Sequence, residues 1–364
     1  MTMLPQRNSL FSQTVNILRD EIVKGTWNTW LPSERTLCTT LQVSRNTLRA
    51  GLAQLKREGV IRSVHGAGKQ ILARASAGRP RLRSQDVALL MPDPLEQLRP
   101  SQTLWIDELR GLLSERGCRL RLFHGHQFFR KNSRPALQKL VTCNPHGCWI
   151  LTLSNEYVQG WFAETGLPCV VAGSIYPGVD LPFRDLDHRA MCRHAAGILL
   201  GLGHRKMAVI THKSRRAGDV ESEIGFVEAV AQSSHADAES AVLYHESTPA
   251  SVCSVVRRLR EQQRPPTALL VVNPYYYLTV TSRLAQMGVR VPQDVSIISR
   301  DEDPFLSFVV PTPARYVVSP HIMATTLLRP VIELLDGQVV TQRASRIMPE
   351  FIRGDSVSRP PAAS

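Results

Sequence analysis

The chain is 364 residues long, 43% hydrophobic and 21% charged, with a net charge of +13. That length suits two or three domains, and that composition excludes disordered and fibrous classes. The charge is uneven: residues 1–84 hold 14 lysines and arginines against four acidic residues, which leaves only +3 for the rest.

A basic head on a nearly balanced body points to a polyanionic partner for the head alone. A membrane-surface role would want a basic amphipathic helix with exposed bulky apolar residues, and none stands outside core-like stripes. Seven cysteines, several inside apolar runs such as Leu167–Val171, read as buried reduced thiols. Neither a signal segment nor a bilayer-length apolar stretch is visible, so the expected location is the cytoplasm, with no membrane partner.

In chain order, Phe11, Val15, Leu18 and Ile22 space a first helix that ends near Gly25, with Trp27 and Trp30 packing at its exit. The stretch Leu31–Lys69 then predicts a helix, a tight turn, a second helix and a β-ribbon. Ser33 and Ser44 stand where N-caps belong. Leu37 and Leu41 face inward on the first of these helices, and Leu48, Leu52 and Leu55 form one buried stripe on the second. Arg45, Asn46 and Arg49 are left on the exposed side. Such a helix suits a DNA major groove, where Arg reads guanine, Asn reads adenine, and Ser or Thr holds phosphate. Val60–Val64 and Lys69–Ala73 are two short strands around a glycine-rich turn, residues 65–68.

The run LPSER, then VSRNTLR, the leucine-spaced helix, EGVI and a Gly-containing wing resembles the GntR-type winged helix-turn-helix over about the first seventy residues. The resemblance implies DNA contacts from Arg35, Ser44, Arg45, Asn46, Thr47, Arg49, His65 and Gly66. The expected division is a winged helix-turn-helix at 1–72, a linker at 73–85, an effector-binding domain at 86–358 and a tail at 359–364. The linker is rich in Gly, Pro and Ser and carries Arg74, Arg79, Arg81 and Arg83, whose solvated charge competes with a role in phosphate contact.

From Asp86 the texture becomes alternating β and α, the pattern of a parallel, doubly wound sheet. Strands are expected at 87–91, 120–123, 148–153, 169–172, 207–211, 241–244, 268–272, 295–299, 315–318 and 347–352, with helices between them. Two such units in series make a cleft at the carboxyl ends of strands. LGHRKMAVI at 202–210, IGFVEAV at 224–230 and GVRVPQDVSIISRDEDP at 288–304 resemble the effector domain of LacI/GalR regulators, which is similar to periplasmic binding proteins. The fold class is therefore α/β, a winged head plus two lobes, with lobe 1 at 86–183 and 315–342 and lobe 2 at 184–314 and 343–358.

The candidate effector contacts are Asp93, Asn273, Arg300 and Asp301. The chain departs from the resemblance at this place. Asn273 is followed by Pro274 and three tyrosines, Ser222 stands where an arginine is common, and Arg300 replaces an apolar residue. An Arg facing the cleft favours a carboxylate or phosphate, and a rim salt bridge with Asp303 is the competing reading.

Catalytic chemistry is not expected. Residues 66–69 lack the upstream glycine and the helix of a phosphate loop. Cys143, His146 and Cys148 lack a second ligand pair for zinc. Asp185, Asp187 and His188 fit a helix N-terminus, and there is no nucleophile elbow or cofactor lysine. The reading is a ligand-responsive, DNA-binding homodimer, a repressor by default, that recognises a pseudo-palindrome and a carbohydrate-like effector, with no cofactor and no metal. An α/β enzyme or a solute-binding protein fused to the same head is the alternative.

Overall fold

The chain divides into two units, Met1–Arg81 and Leu82–Ser364. The computed structural model describes residues 14–15, 17–18, 21–22, 26–27, 29–57, 60–64, 68–72, 85–213 and 216–361. Phe11, His65, Gly66 and the linker arginines lie outside these residues.

In the first unit, helices at Glu34–Leu41 and Arg45–Arg57 are followed by strands β1 (Ile61–Val64) and β2 (Gly68–Ile71). Ser33 Oγ accepts the backbone N–H of Thr36 at 3.1 Å, and Ser44 Oγ accepts that of Thr47 at 3.2 Å. Each cap satisfies one amide left without a partner at a helix start, worth about 1 kcal/mol. Gln42 closes the first helix in the left-handed region (φ 53°) and forces the sharp turn between the two helices. Leu37, Leu48, Leu52 and Leu55 are buried with Val15, Leu18, Ile22 and Ile61 in one core. Trp27 packs against that core. Trp30 instead bridges Gln70, and flanking hydrogen bonds from Leu31 to Lys69 and from Ile71 to Thr29 widen the ribbon.

The second unit holds two six-stranded sheets. Lobe 1 contains β3 (Asp86–Met91), β4 (Arg119–His124), β5 (Cys148–Thr152), β6 (Cys169–Ala172), β7 (Phe183–Leu186) and β13 (Ala344–Ile347) in the order β13-β7-β6-β5-β3-β4. Lobe 2 contains β8 (Lys206–His212), β9 (Glu239–His245), β10 (Ala268–Val271), β11 (Ser296–Ser299), β12 (Ala314–Val317) and β14 (Glu350–Ile352) in the order β14-β12-β11-β10-β8-β9. All neighbours are parallel except β12 and β14. Apolar runs such as Ala268–Val271 are buried end to end because helices cover both faces of a parallel sheet.

These pairings correct the expected lobe borders. β7, which the sequence did not announce, pairs with β6 and β13 in lobe 1, and β12 pairs with β11 in lobe 2. The helix Pro320–Leu335 after β12 returns to the lobe 1 core, where Leu327 and Val331 meet Ile106 and Leu109. The single strand expected at 347–352 is two strands, one in each lobe. The chain thus crosses between lobes after β7, after β12 and after β13.

Arg184 on β7 shows how the crossings are held. It is 1% exposed and donates to the carbonyls of Phe183, Thr326, Gln342 and Arg343. One guanidinium thereby ties β7, the returning helix and the approach to β13 without any carboxylate partner.

Candidate functional site

In the head, the stripe of Leu48, Leu52 and Leu55 fixes which face of the Arg45–Arg57 helix is outward. Arg45 and Asn46 are exposed in its first turn, and Thr47 is half-buried beside the Ser44 cap. Arg35 is exposed on the preceding helix. Lys56 and Arg57 close the second helix, where cations suit the negative end of its dipole.

Arg49 is differently placed. Its Nε donates to Glu34 Oε2 at 2.9 Å, and Lys69 Nζ of β2 donates to Glu34 Oε1 at 2.9 Å. Lys69 and Arg49 together hold the Glu34 carboxyl below its ordinary range. Glu34 therefore joins both helices to the ribbon, a role that sequence reasoning missed. Its only signal was an acid in a first helical turn.

In the body, a cleft of about 780 Å³ lies between the lobes at the carboxyl ends of the strands. Asp93, Asn273, Arg300 and Asp301 all line it. Asn273 Oδ1 caps the helix Pro274–Gln286 through the Tyr275 amide at 2.9 Å, which leaves its NH₂ for other partners. Asp93 pairs with His126 Nε2 at 2.9 Å. Tyr275 and Tyr276 from the same helix add aromatic surface to the wall.

Arg300 is buried and does not pair with Asp303. Its Nε and Nη2 donate to Asp301 at 2.8 and 3.0 Å, and its Nη1 donates to Asp219 at 2.7 Å and to Ser222 Oγ at 3.0 Å. Ser222, the position where the resemblance expects an arginine, thus holds the guanidinium of Arg300 instead. Burial opposes the charge on Arg300, but Asp301 and Asp219 outweigh it and keep the group protonated. Burial likewise pushes Asp301 up, and Arg300 and Arg99 outweigh it and hold the carboxyl well below the usual range. Arg300 is therefore occupied with organising carboxylates, and the expectation that it favours an anionic ligand group loses its basis. Asp303 is buried, and burial raises its pKa against the opposing pull of Arg99 and the Phe305 backbone N–H.

The structure adds residues that the sequence did not mark. Arg99, from lobe 1, donates through Nη1 to Asp301 Oδ2 of lobe 2 at 3.1 Å. Nearby, Ser174 Oγ donates to Asp185, and His188 Nε2 lies 3.5 Å from the same carboxylate. A Cβ on Gly218 would sit 2.7 Å from Ser174 Oγ and 2.9 Å from the His188 ring, so the lobes meet here at glycine-only distance.

Among the described residues, no group of three or more His, Cys, Asp or Glu side chains is placed to hold a metal ion. His146 instead stacks edge-on against Phe123 and Trp149, while Cys143 is exposed and Cys148 buried. No helix among the described residues is long and apolar enough to cross a membrane.

Comparison with known proteins matches this geometry. Residues 10–71 fit the model of the bacterial regulatory proteins of the gntR family, and residues 196–357 fit that of the periplasmic binding protein-like domain. The chain therefore joins a gntR-type helix-turn-helix domain to a two-lobed periplasmic binding protein-like domain. Its relatives include the HTH-type transcriptional regulator AscG of Escherichia coli, 27% identical over 42% of this chain and 45% of AscG. The arabinose metabolism transcriptional repressor of Halalkalibacterium halodurans is 22% identical over 83% of this chain and 79% of its own. Among solved structures, a complex of the transcriptional regulator CelR with cellobiose superposes with a TM-score of 0.66 at 19% identity, covering 97% of this chain and 100% of that one. The chain spans under half the length of AscG, the first of these relatives.

Proposed function

We propose that the protein is a sequence-specific, DNA-binding transcriptional repressor whose operator affinity is set by a sugar or sugar derivative held between the two lobes. The observation that carries this reading is the pairing, in one chain, of two features. One is a doubly capped helix-turn-helix with Arg45 and Asn46 facing outward. The other is an interlobe cleft lined by Asp93, Asn273 and Asp301 and by tyrosines. Carboxylate, carboxamide and aromatic groups suit a hydroxyl-rich ligand with apolar ring faces.

Two heads in a homodimer match a pseudo-palindromic operator, each placing its Ser44-capped helix in a major groove. Arg35, Ser44, Arg45, Asn46, Thr47 and Arg49 are the proposed DNA contacts, together with His65 and Gly66. A ligand that prefers one lobe arrangement shifts the equilibrium toward it, and by linkage changes operator affinity equally in both directions. Ser174 and His188 both address Asp185 rather than each other, so these three are not arranged as a nucleophile and its base. The setting is the cytoplasm, where operator and metabolite meet.

The test is fluorescence anisotropy of the full chain on duplex DNA from its own upstream region, with and without arabinose and cellobiose. The reading expects salt-sensitive, sequence-selective binding that one of these or a related sugar shifts. Equal affinity for any duplex under every condition would sink it.

A further inference from the structure

Arg99 sits at the N-cap of the helix Pro100–Ser114 and makes no side-chain cap bond there. A cation is out of place at that position, since the helix dipole repels it and its own side chain offers no capping oxygen, the Arg99 backbone N–H being taken by Gln102 Oε1 at 3.4 Å. What it gains is a contact across the cleft, 3.1 Å from Nη1 to Asp301 Oδ2, with its side chain still 22% exposed. A local rule broken for a long-range contact marks a site under functional constraint.

The surrounding charge defines what can enter. The cleft is lined by five carboxylates (Asp93, Asp185, Asp219, Asp301 and Glu302) and three guanidinium groups (Arg99, Arg216 and Arg300). Arg300 is spent on Asp219, Asp301 and Ser222. Arg99 donates one N–H to Asp301 and lines the cleft with further N–H donors, next to a carboxylate that Arg300 and Arg99 keep ionised against the cost of burial.

We propose, resting on the reading of the cleft as the effector site, that Arg99 is a ligand-contacting, specificity-determining residue. It selects an uncharged hydroxyl that inserts between it and Asp301, and it discriminates against sugar acids and sugar phosphates. A hydroxyl both accepts from the guanidinium and donates to the carboxylate, so it replaces the interlobe contact with two bonds of its own. An anionic oxygen satisfies Arg99 but has no proton for Asp301 and meets an excess of negative charge. The same exchange makes Arg99 the point where ligand entry alters the contact between lobes.

The experiment is isothermal titration of the full chain and of its Arg99→Met and Arg99→Lys variants. The probes are arabinose, galactose, cellobiose and trehalose, then galacturonate, glucuronate and glucose 6-phosphate. A neutral sugar should bind the wild-type chain more tightly than its acid or phosphate. Arg99→Met should weaken that sugar roughly ten- to hundredfold, as loss of a charged hydrogen bond does. Arg99→Lys, which keeps the charge without the planar fork, should fall between, and unliganded melting temperatures show that each variant is folded. Tighter binding of a uronate or phosphate, or wild-type affinity in Arg99→Met, overturns the assignment of Arg99 and leaves the cleft reading standing. A wild-type chain that binds none of the seven compounds overturns the cleft reading and this proposal with it.

Discussion

Arg45 in the head and Arg300 in the body are the same residue type put to opposite uses. Arg45 is exposed on a helix whose other face is a leucine stripe, so its charge is offered to whatever lies outside. Arg300 is buried among Asp219, Asp301 and Ser222, so its charge serves the protein's own carboxylates. What separates them is solvent. An exposed guanidinium sits in high dielectric and gains little from a single ion pair, whereas a buried one exists only because partners surround it.

That contrast can be broken experimentally, and the largest effect belongs to the buried arginine. Replacing Arg300 by Met leaves Asp219 and Asp301 without their cation and should destabilise the body by about 3–5 kcal/mol. Urea unfolding followed through the body's Trp105, Trp149 and Trp161 measures it, and a loss below about 1 kcal/mol would show the cluster to be dispensable. Arg45→Ala should leave stability within about 0.5 kcal/mol and weaken binding to a specific duplex by about 1–3 kcal/mol. Unchanged affinity and base preference in gel shifts would remove that helix from the interface.

Asp303 sharpens the comparison from the acidic side. Its carboxylate is buried, and its pKa is raised because burial opposes ionisation more than Arg99 and the Phe305 backbone N–H favour it. Stability is then lost as pH rises through the ordinary carboxylate range toward the raised value. Asp303→Asn should be more stable than wild type at pH 7 by roughly 1 kcal/mol, with the advantage shrinking as the pH approaches that range. Melting curves at a series of pH values check both the sign and the convergence, and a destabilised variant at pH 7 contradicts the burial argument.

Glu34 carries the smallest effect. Its pKa is lowered by Lys69 and Arg49, so its contribution is present above the ordinary carboxylate range and fades as pH falls through the lowered value. All three side chains retain solvent exposure, and Glu34→Gln should cost less than about 1 kcal/mol of stability. It should also raise affinity for non-specific duplex, since a negative charge that occupies Arg49 and Lys69 is removed. Anisotropy with a random-sequence duplex reads this directly, and lower affinity would mean that holding Arg49 and Lys69 in place matters more than the charge removed.

Much of the head was legible because its information is local. Ser33, Ser44 and the leucines at 48, 52 and 55 specify helix starts and the buried face through periodicity alone, and the described positions follow that plan. Arg49 marks where legibility stops. The spacing that put it on the exposed side was read correctly, but its partner lies on another helix, 15 residues earlier in the chain. In the body, Asp301 and Asn273 were legible as cleft residues from the family resemblance at two strand ends, while β7 was not. Its four residues, Phe183–Leu186, carry Arg184 and Asp185 in the middle of a buried strand. The carbonyls of Thr326, Gln342 and Arg343, all distant in the chain, together with that of Phe183, explain the cation at that place.

Short-range patterning, then, determined the order of elements apart from β7 and the split between β13 and β14, the concentration of cations in the N-terminal unit and the alternating α/β character of the remainder, because amphipathic period and capping act over a few residues. The tertiary structure alone decided that Arg300 turns inward to Asp219 and Asp301, that Arg99 reaches across to Asp301, and which strands share a sheet after each crossing. The Arg300–Asp219 and Arg99–Asp301 pairs join positions 81 and 202 residues apart. No local propensity encodes them, since the energy that favours them exists only once burial has removed the alternative of water.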